Sequence, residues 1–262
     1  MDSQEMYVSA WKQTSDAIIE LVRSLNEDEL ALPTDLPGWD VHDVVAHLSH
    51  LEQVASGEPE ESTGVAIVPA DYTNAGVAER RDIATAELVD GFERDVASRH
   101  ALLTSTRLDL TEPAPVTPAG VPWTWETLLR NRAVDVWVHE QDIRRAVGRP
   151  GSLGSLGAQV TTHSFAAGMG FVLGKKVKAE PGSVVRWLVE GDVQVTIELE
   201  IGDDGRAHRA QPQTPADVTL DMTSETFTIL AAGRRTPEQV QVRYAGDGDL
   251  AARVLANMTL TF

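Results

Sequence analysis

The sequence VDVWVHEQDIRRAVGRPG, residues 134–151, joins two parts of the chain that have different patterns. Before it, apolar residues recur at helical spacing, and after it they alternate with the two-residue period of strands. The stretch itself has the spacing of a helix that ends at Gly148, where a Pro follows closely. We therefore predict a helical N-terminal domain over residues 1–150 and a small α+β domain over residues 151–262.

The first part contains four long segments with helical periodicity, which predicts a four-helix bundle. The predicted helices cover about residues 4–26, 40–56, 78–104 and 124–147. The connection between the second and third of them is too long for a tight turn, and such connections are commonly lids or binding loops. We expect Tyr72 and Asn74 to be its ligand-contacting residues. The alternative is a solvated crossover without a binding role.

The second part alternates between short strands and helices. SVVRWLVEG and VQVTIELEIG predict a strand pair around Gly191, and DVTLDM and VQVRYAG predict two further strands. SETFTILAAG and GDLAARVLANM predict helices. This order is typical of an α+β domain with a small, mostly antiparallel sheet.

Composition excludes several classes of function. The formal net charge of −18, with most of the acidic excess in residues 1–150, opposes binding to nucleic acid and to anionic membranes. No apolar run approaches the ~18–20 residues that a membrane span needs, and the first residues lack the pattern of a signal peptide. We expect a cytoplasmic protein. Since the chain has no cysteine, a thiol nucleophile would have to come from a cofactor.

Histidines are the first candidate metal ligands in a chain without cysteine. On the helix that follows Asp40, His47 lies beside the apolar stripe, whereas His42 and His50 are predicted to point further outward. His47 can therefore face the edge of the bundle's interior. The alternative is a histidine that forms hydrogen bonds within the core.

The fourth helix places Asp135, His139 and Asp142 along one edge of its core face, where they would be partly desolvated. Residues at i and i+4 on one helical face can bind a metal together. An ion pair between Asp135 and His139 within the helix is the alternative. His47, on a helix that could lie alongside in a bundle, favours the metal.

Three stretches carry a resemblance to a known family. LPGWDVHDVVAHLSHLE, followed by DVWVHEQDIRRAVGRPG, resembles the mycothiol-dependent maleylpyruvate isomerase family of actinobacteria, within the DinB-like metal-binding four-helix bundles. The tail from ADVTLDM to VLANM is similar to the sterol-carrier-protein-like C-terminal domain of that family. The resemblance covers nearly the whole chain, and its motifs are specific to the architecture rather than to one reaction.

The resemblance implies a divalent metal, with zinc as the first candidate, His47, Asp135 and His139 as ligands, and one position for a thiol or water. Asp135 departs from the family pattern, which has a Glu there, so a shorter carboxylate has to reach the metal. Asp142 matches a frequent family Asp that would orient a ligand from behind. It could equally pair with Arg145 or Arg132.

The resemblance also implies that mycothiol supplies the sulfur and that the thiol is held as thiolate by the metal. In the family's isomerase the thiolate would add to a conjugated cis double bond, the bond would rotate in the enolate, and elimination would give the trans isomer. A cation near the substrate carboxylates is needed, and arginine suits that task. In this family the tail domain can contribute such an arginine. Arg243 is the candidate, ahead of Arg186, and the alternative is an exposed strand residue.

Other functions remain open at this point. A mycothiol S-transferase acting on a small electrophile would use the same site. A non-catalytic protein that binds a metal or an apolar ligand is the other alternative, and Asp135 in place of Glu favours it. Trp39, Trp125 and Trp137 are predicted to be core residues rather than platforms for a cofactor.

Overall fold

The fold was analysed in a computed structural model that describes residues 1–62, 64–65 and 67–261. The chain divides into two compact units, Met1–Val160 and Thr161–Phe262. This division falls inside a helix, whereas the predicted boundary follows residue 150. No helix in the described ranges combines the length and the apolar character that crossing a bilayer requires.

Four long helices build the first unit, as predicted. They are α1 (Ser3–Arg23), α3 (Val41–Ala55), α5 (Thr85–Ser105) and α6 (Trp125–Ala146). Helices α1 and α3 each pack against both α5 and α6, so the four form a bundle around one apolar core. The third helix was predicted to begin near residue 78, and it begins at Thr85.

Side-chain caps explain where three of these helices begin. Asp2, Asp40 and Thr124 each accept a hydrogen bond from the backbone N–H three residues further on. Such bonds satisfy donors that the first turn of a helix leaves without a partner. A short helix, α2 (Glu27–Leu30), has a full capping box between Asn26 and Glu29.

The connection between α3 and α5 contains a helix that the sequence analysis placed in a loop. This helix, α4 (Ala70–Ala78), packs against α3. Residues 63 and 66 of the connection lie outside the described residues. Gly76 allows the close approach, because a Cβ atom at this position would lie 2.2 Å from Cδ2 of His50.

The second unit begins within α7 (Leu156–Phe171), which continues as a π-helical turn at Val172–Val177. Its five-stranded sheet has the order β3-β2-β1-β4-β5. The strands are β1 (Val184–Glu190), β2 (Val195–Ile201), β3 (Ala207–Arg209), β4 (Val218–Thr223) and β5 (Arg243–Gly246). Only the β1–β4 pair is parallel among the described strand pairs. The predicted, mostly antiparallel sheet is therefore confirmed.

Two helices accompany the sheet where the sequence analysis predicted them, α8 (Ser224–Ala231) and α9 (Gly248–Ala256). Trp187 on β1 lies opposite Ile197 on β2 and Leu220 on β4, and all three are buried. Helix α7 and strand β3 were not predicted. The segment of α7 has no charged residue and contains several glycines, so it shows no amphipathic stripe.

Candidate metal centre

Helices α3 and α6 bring three candidate ligands together. His47 comes from α3, and Asp135 and His139 lie one turn apart on α6. One ligand atom from each of these three residues lies within 4.8 Å of the other two. Oδ1 of Asp135 is 3.7 Å from Nε2 of His47 and 3.4 Å from Nε2 of His139. These are the three residues that the family motif indicated.

His47 is buried, yet neither of its ring nitrogens has a hydrogen-bond partner in the described part of the chain. Buried polar groups in folded proteins nearly always have a partner, so this imidazole requires an explanation. Burial lowers the pKa of His47 to about 4. The ring is therefore neutral near pH 7, and one nitrogen offers its lone pair to a metal ion.

Asp142 contacts the ring nitrogen of His139 that does not face the other two ligands. Nδ1 of His139 lies 3.0 Å from Oδ2 of Asp142, which is fully buried, and the other carboxylate oxygen accepts a hydrogen bond from Arg145 at 2.5 Å. Arg145 in turn donates to Asp35. Burial lowers the pKa of His139, but the nearby Asp135 and Asp142 outweigh it and raise the pKa. In the neutral ring, with Nδ1 donating to Asp142, Nε2 carries the lone pair and faces the other two ligands.

Asp142 thus contacts His139 and also pairs with Arg145, and its role in orienting a metal ligand stays a prediction. Arg132, the other arginine considered, contacts Asp135 and Glu52.

The two oxygens of Asp135 face different partners. Oδ2 accepts a hydrogen bond of 2.7 Å from Nη1 of Arg132, while Oδ1 faces the two imidazoles. Burial raises the pKa of Asp135, but His139, His47 and Arg132 together outweigh it and hold the pKa well below its usual range. Asp135 is therefore a carboxylate. Despite its short side chain, it reaches the space between the two histidines.

A buried ionic cluster lies behind Asp135, and the sequence analysis missed it. Glu52 of α3 accepts hydrogen bonds from the side chains of Arg132, Arg99 and Trp11, and all four residues are buried. The guanidinium group of Arg99 also lies over the Trp11 ring, 5.3 Å from its centroid. A signal was present, because Glu52 falls four residues after Leu48 on the apolar stripe of α3.

Trp39 borders the site, although it was predicted to be a core residue. Its ring centroid is 5.2 Å from that of His47 and 6.4 Å from that of His139. Trp39 is partly buried and also packs against the apolar core. Trp125 packs against the same core, and Trp137 is buried, with its indole N–H donating to Ser152 O.

The structure corrects the prediction for His50. This residue was predicted to point outward, but it is buried, because α4 covers the face of α3 that carries it. Neither ring nitrogen has a hydrogen-bond partner among the described residues. His42 is partly buried and contacts Thr85 Oγ1 at 2.7 Å.

The two ligand-contacting candidates of the connection lie on α4 in different environments. The hydroxyl of Tyr72 donates to Glu60 at 2.7 Å, and its ring lies 5.3 Å from that of His50. Burial is the main cause that raises the pKa of Tyr72, and the nearby Glu60 raises it further. Asn74 is exposed. Glu60 also accepts a hydrogen bond from the backbone N–H of Ala119, which ties the connection to the chain before α6.

The candidate arginines of the second unit both pair with carboxylates on neighbouring strands. Arg243 on β5 is exposed and donates to Asp221 on β4 at 2.7 Å. Arg186 on β1 is partly exposed and donates to Glu198 on β2 at 2.5 Å.

Solved structures of known proteins share this fold. A solved crystal structure of the mycothiol-dependent maleylpyruvate isomerase matches 94% of this chain and 93% of its own, with a TM-score of 0.56 and 16% sequence identity. A histidine-to-alanine variant of that isomerase matches with a TM-score of 0.53 over 90% of both chains, again at 16% identity. At this level of identity the likeness shows the fold.

Sequence comparison gives the family. Uncharacterized proteins from two strains of Mycobacterium tuberculosis are 25% identical over 173 residues, which is 61% of this chain and 66% of theirs, slightly less than two thirds of their length. Residues 11–144, just over half of the chain, match the family model described as the mycothiol maleylpyruvate isomerase N-terminal domain. This match includes α3, most of α6 and all three candidate ligands. The chain therefore belongs to the mycothiol maleylpyruvate isomerase N-terminal domain family.

Proposed function

We propose that this protein is a metal- and mycothiol-dependent enzyme of the maleylpyruvate isomerase type. The observation that carries the proposal is the convergence of His47, Asp135 and His139, together with the absence of a hydrogen-bond partner for the buried His47 ring in the described structure. The family match agrees with it. We place the activity in the cytoplasm, where low-molecular-weight thiols are reduced.

The residues present fit a divalent metal ion. Two imidazole nitrogens and one carboxylate oxygen are ligands that zinc accepts, and catalytic zinc sites have three protein ligands and one position for an exogenous ligand. Because the chain has no cysteine, a closed site with four thiolate or mixed thiolate ligands is excluded. When bound, such an ion would lower the pKa of a coordinated thiol, so that the thiol is held as thiolate at neutral pH.

The charges around the three ligands favour an anionic exogenous ligand. Among the described residues, the ion pairs that connect to the site include four carboxylates and three guanidinium groups: Asp35, Glu52, Asp135, Asp142, Arg99, Arg132 and Arg145. With neutral histidines this group carries one net negative charge, so a divalent cation leaves one positive charge. One thiolate would neutralise it, and separated charges are costly in a buried site.

The surrounding residues orient the ligands and restrict water. Asp142 fixes the ring of His139 so that Nε2 faces the site, and the Trp39 ring covers one side of both imidazoles. The sulfur must come from a low-molecular-weight thiol, for which we propose mycothiol, with Tyr72 and Asn74 of α4 as candidates for its binding.

In the proposed reaction the thiol sulfur forms a bond to one carbon of a conjugated cis double bond, and the electron pair of that double bond moves to the enolate oxygen. Rotation about the resulting single bond is followed by cleavage of the C–S bond, which restores the double bond in the trans geometry. The thiol is regenerated, so no oxidant or reductant is needed. We propose Arg243 as the cation for the substrate carboxylates or the enolate oxygen.

Thiol stoichiometry separates this proposal from a mycothiol S-transferase. An isomerase returns the thiol after each turnover, whereas a transferase consumes one thiol for each molecule of electrophile. An assay that follows maleylpyruvate and free thiol together would therefore distinguish the two reactions.

The first experiment is elemental analysis of the purified wild-type protein beside His47→Ala and His139→Ala, with His42→Ala as the matched control on the same helix. We expect one divalent ion per chain in the wild type and in His42→Ala, and its loss from the other two variants. A wild-type protein that is metal-free and takes up neither zinc, nickel nor iron would overturn the proposed mechanism and favour a non-catalytic binding protein.

A further inference from the structure

We infer that Arg132 is a positioning residue that restricts Asp135 to binding the metal through one oxygen, and that Glu52 holds Arg132 in place from the neighbouring helix. The inference rests on the proposed metal site and concerns its coordination.

The first step concerns the free oxygen of Asp135. Because Oδ2 is engaged by Nη1 of Arg132 at 2.7 Å, Oδ1 is the oxygen left to face Nε2 of His47 and of His139. A carboxylate that bound a metal through both oxygens would have to give up a charge-assisted hydrogen bond in a buried place. One-oxygen binding keeps that bond and leaves one more coordination position for an exogenous ligand.

The second step concerns Arg132 itself. Its Nε and Nη2 atoms both donate to Oε1 of Glu52, at 3.2 and 2.8 Å, while Nη1 donates to Asp135. The rigid guanidinium plane thus joins two carboxylates along different edges. Since Arg132 is 3% exposed and Glu52 is fully buried, neither can turn toward water without breaking these buried, charge-assisted hydrogen bonds.

The third step links this cluster to the helices that share the site. Helix α3 carries both His47 and Glu52, and α6 carries Arg132, Asp135 and His139. The Glu52–Arg132 ion pair therefore fixes the spacing of α3 and α6 beside the position where the metal would join them. Trp11 and Arg99 donate to the same Glu52 carboxylate and limit its movement.

Arg132→Met tests the inference, because methionine is apolar and cannot donate to either carboxylate. The matched control is Arg99→Met, which also removes a guanidinium group from Glu52 but leaves the Arg132–Asp135 contact intact. Zinc affinity is measured by competition with a chromophoric chelator. The visible spectrum of the Co²⁺-substituted protein reports coordination number and symmetry, and far-UV circular dichroism checks folding.

We expect Arg132→Met to weaken zinc binding by about 10- to 100-fold and to change the Co²⁺ spectrum, whereas Arg99→Met keeps the wild-type spectrum and weakens zinc binding far less. If Arg132→Met does not fold, Arg132→Lys serves instead, because a lysine keeps the charge but cannot join both carboxylates. A folded Arg132 variant with wild-type affinity and spectrum would overturn this inference alone. A wild type that binds no metal would overturn the proposed function and this inference with it.

Discussion

Arg132 in the first unit and Arg243 in the second each donate to an aspartate at 2.7 Å, yet their surroundings are opposite. Arg132 is 3% exposed and has a second carboxylate, Glu52, whereas the side chain of Arg243 is 80% exposed. The contrast extends to the two units. Every charged side chain that is buried in the described ranges lies in the first unit, and the buried polar side chains of the second are hydroxyl residues.

This difference agrees with the proposed metal site in the first unit. A buried charge costs free energy unless it is paired, so a fold that needed only stability could use apolar residues in those places. The first unit keeps Glu52, Arg99, Arg132 and Asp142 in its interior, and all four connect to the ligand set directly or through one another. The Arg132–Asp135 pair is therefore part of a buried ionic network, whereas the arginine of the Arg243–Asp221 pair is exposed to solvent.

Among the substitutions considered, replacing Glu52 should cause the largest loss of stability. In Glu52→Gln, Arg99 and Arg132 lose their shared counter-charge inside the bundle, and we expect the free energy of unfolding to fall by about 3–5 kcal/mol. Urea denaturation followed by circular dichroism, with chelator present to keep the protein metal-free, measures the change. Asp221→Asn, which removes the partner of exposed Arg243, is the control and should cost about 0–1 kcal/mol. Equal losses in the two variants would contradict the contrast.

The pH dependence of the stability lost in Glu52→Gln provides a second test. Burial raises the pKa of Glu52, but Arg99 and Arg132 outweigh it, so the pKa is lower than the ordinary 4.5. A carboxyl group with a lowered folded-state pKa stabilises the fold above its unfolded-state pKa, and this contribution disappears as the pH falls through the folded-state value. The stability difference between wild type and Glu52→Gln should therefore be constant above about pH 5.5 and shrink below pH 4.5. A difference that grows on acidification would contradict the assignment.

Asp142→Asn tests whether a buried charge of the first unit affects zinc affinity at the candidate site. The amide keeps an acceptor for Nδ1 of His139 but removes the negative charge that polarises the ring. We expect zinc affinity to fall by about 10- to 100-fold, measured by chelator competition. Asp43→Asn, a buried carboxylate of α3 that pairs with Arg81, is the control and should retain the wild-type affinity. Equal affinities in all three proteins would show that Asp142 is not needed to orient His139.

Arg243→Ala should have the smallest effect on stability. Because the side chain of Arg243 is exposed, we expect the free energy of unfolding to stay close to the wild-type value. If Arg243 binds the substrate carboxylates as proposed, kcat/KM for maleylpyruvate falls while metal content stays at the wild-type level. An unchanged kcat/KM would remove Arg243 from the proposed site, and a large loss of stability would contradict its description as an exposed strand residue.

Periodicity was sufficient to predict the long helices and most strands, because each element shows an apolar stripe of the expected period. It failed at α7, which has no charged residue and therefore no clear polar face, and at α4, which lies in a segment that has the composition of a loop. His50 was misplaced for a related reason. Its burial depends on α4, which the helical pattern of α3 alone cannot reveal.

The proximity of Asp135 and His139 could be predicted because they lie at i and i+4, so local geometry places them together, whereas His47 was added from the expected helix packing and the family motif. The cluster behind Asp135 required contacts between distant residues, as in the Glu52–Arg132 pair, which joins residues 80 positions apart. The alternatives for Asp142 stayed open because a helix places both His139 and Arg145 within its reach. Only the packed bundle shows that its two oxygens contact both.

The close contact between Gly76 and His50 has a practical consequence. The distance between α4 and α3 depends on the lack of a single carbon atom at position 76, since a methyl group there would occupy the place of the imidazole edge. Alanine at this position would thus act as a wedge beneath α4, on a helix that carries none of the three ligands. A single substitution could therefore change the packing of α4 on α3 without replacing any of the three candidate ligands.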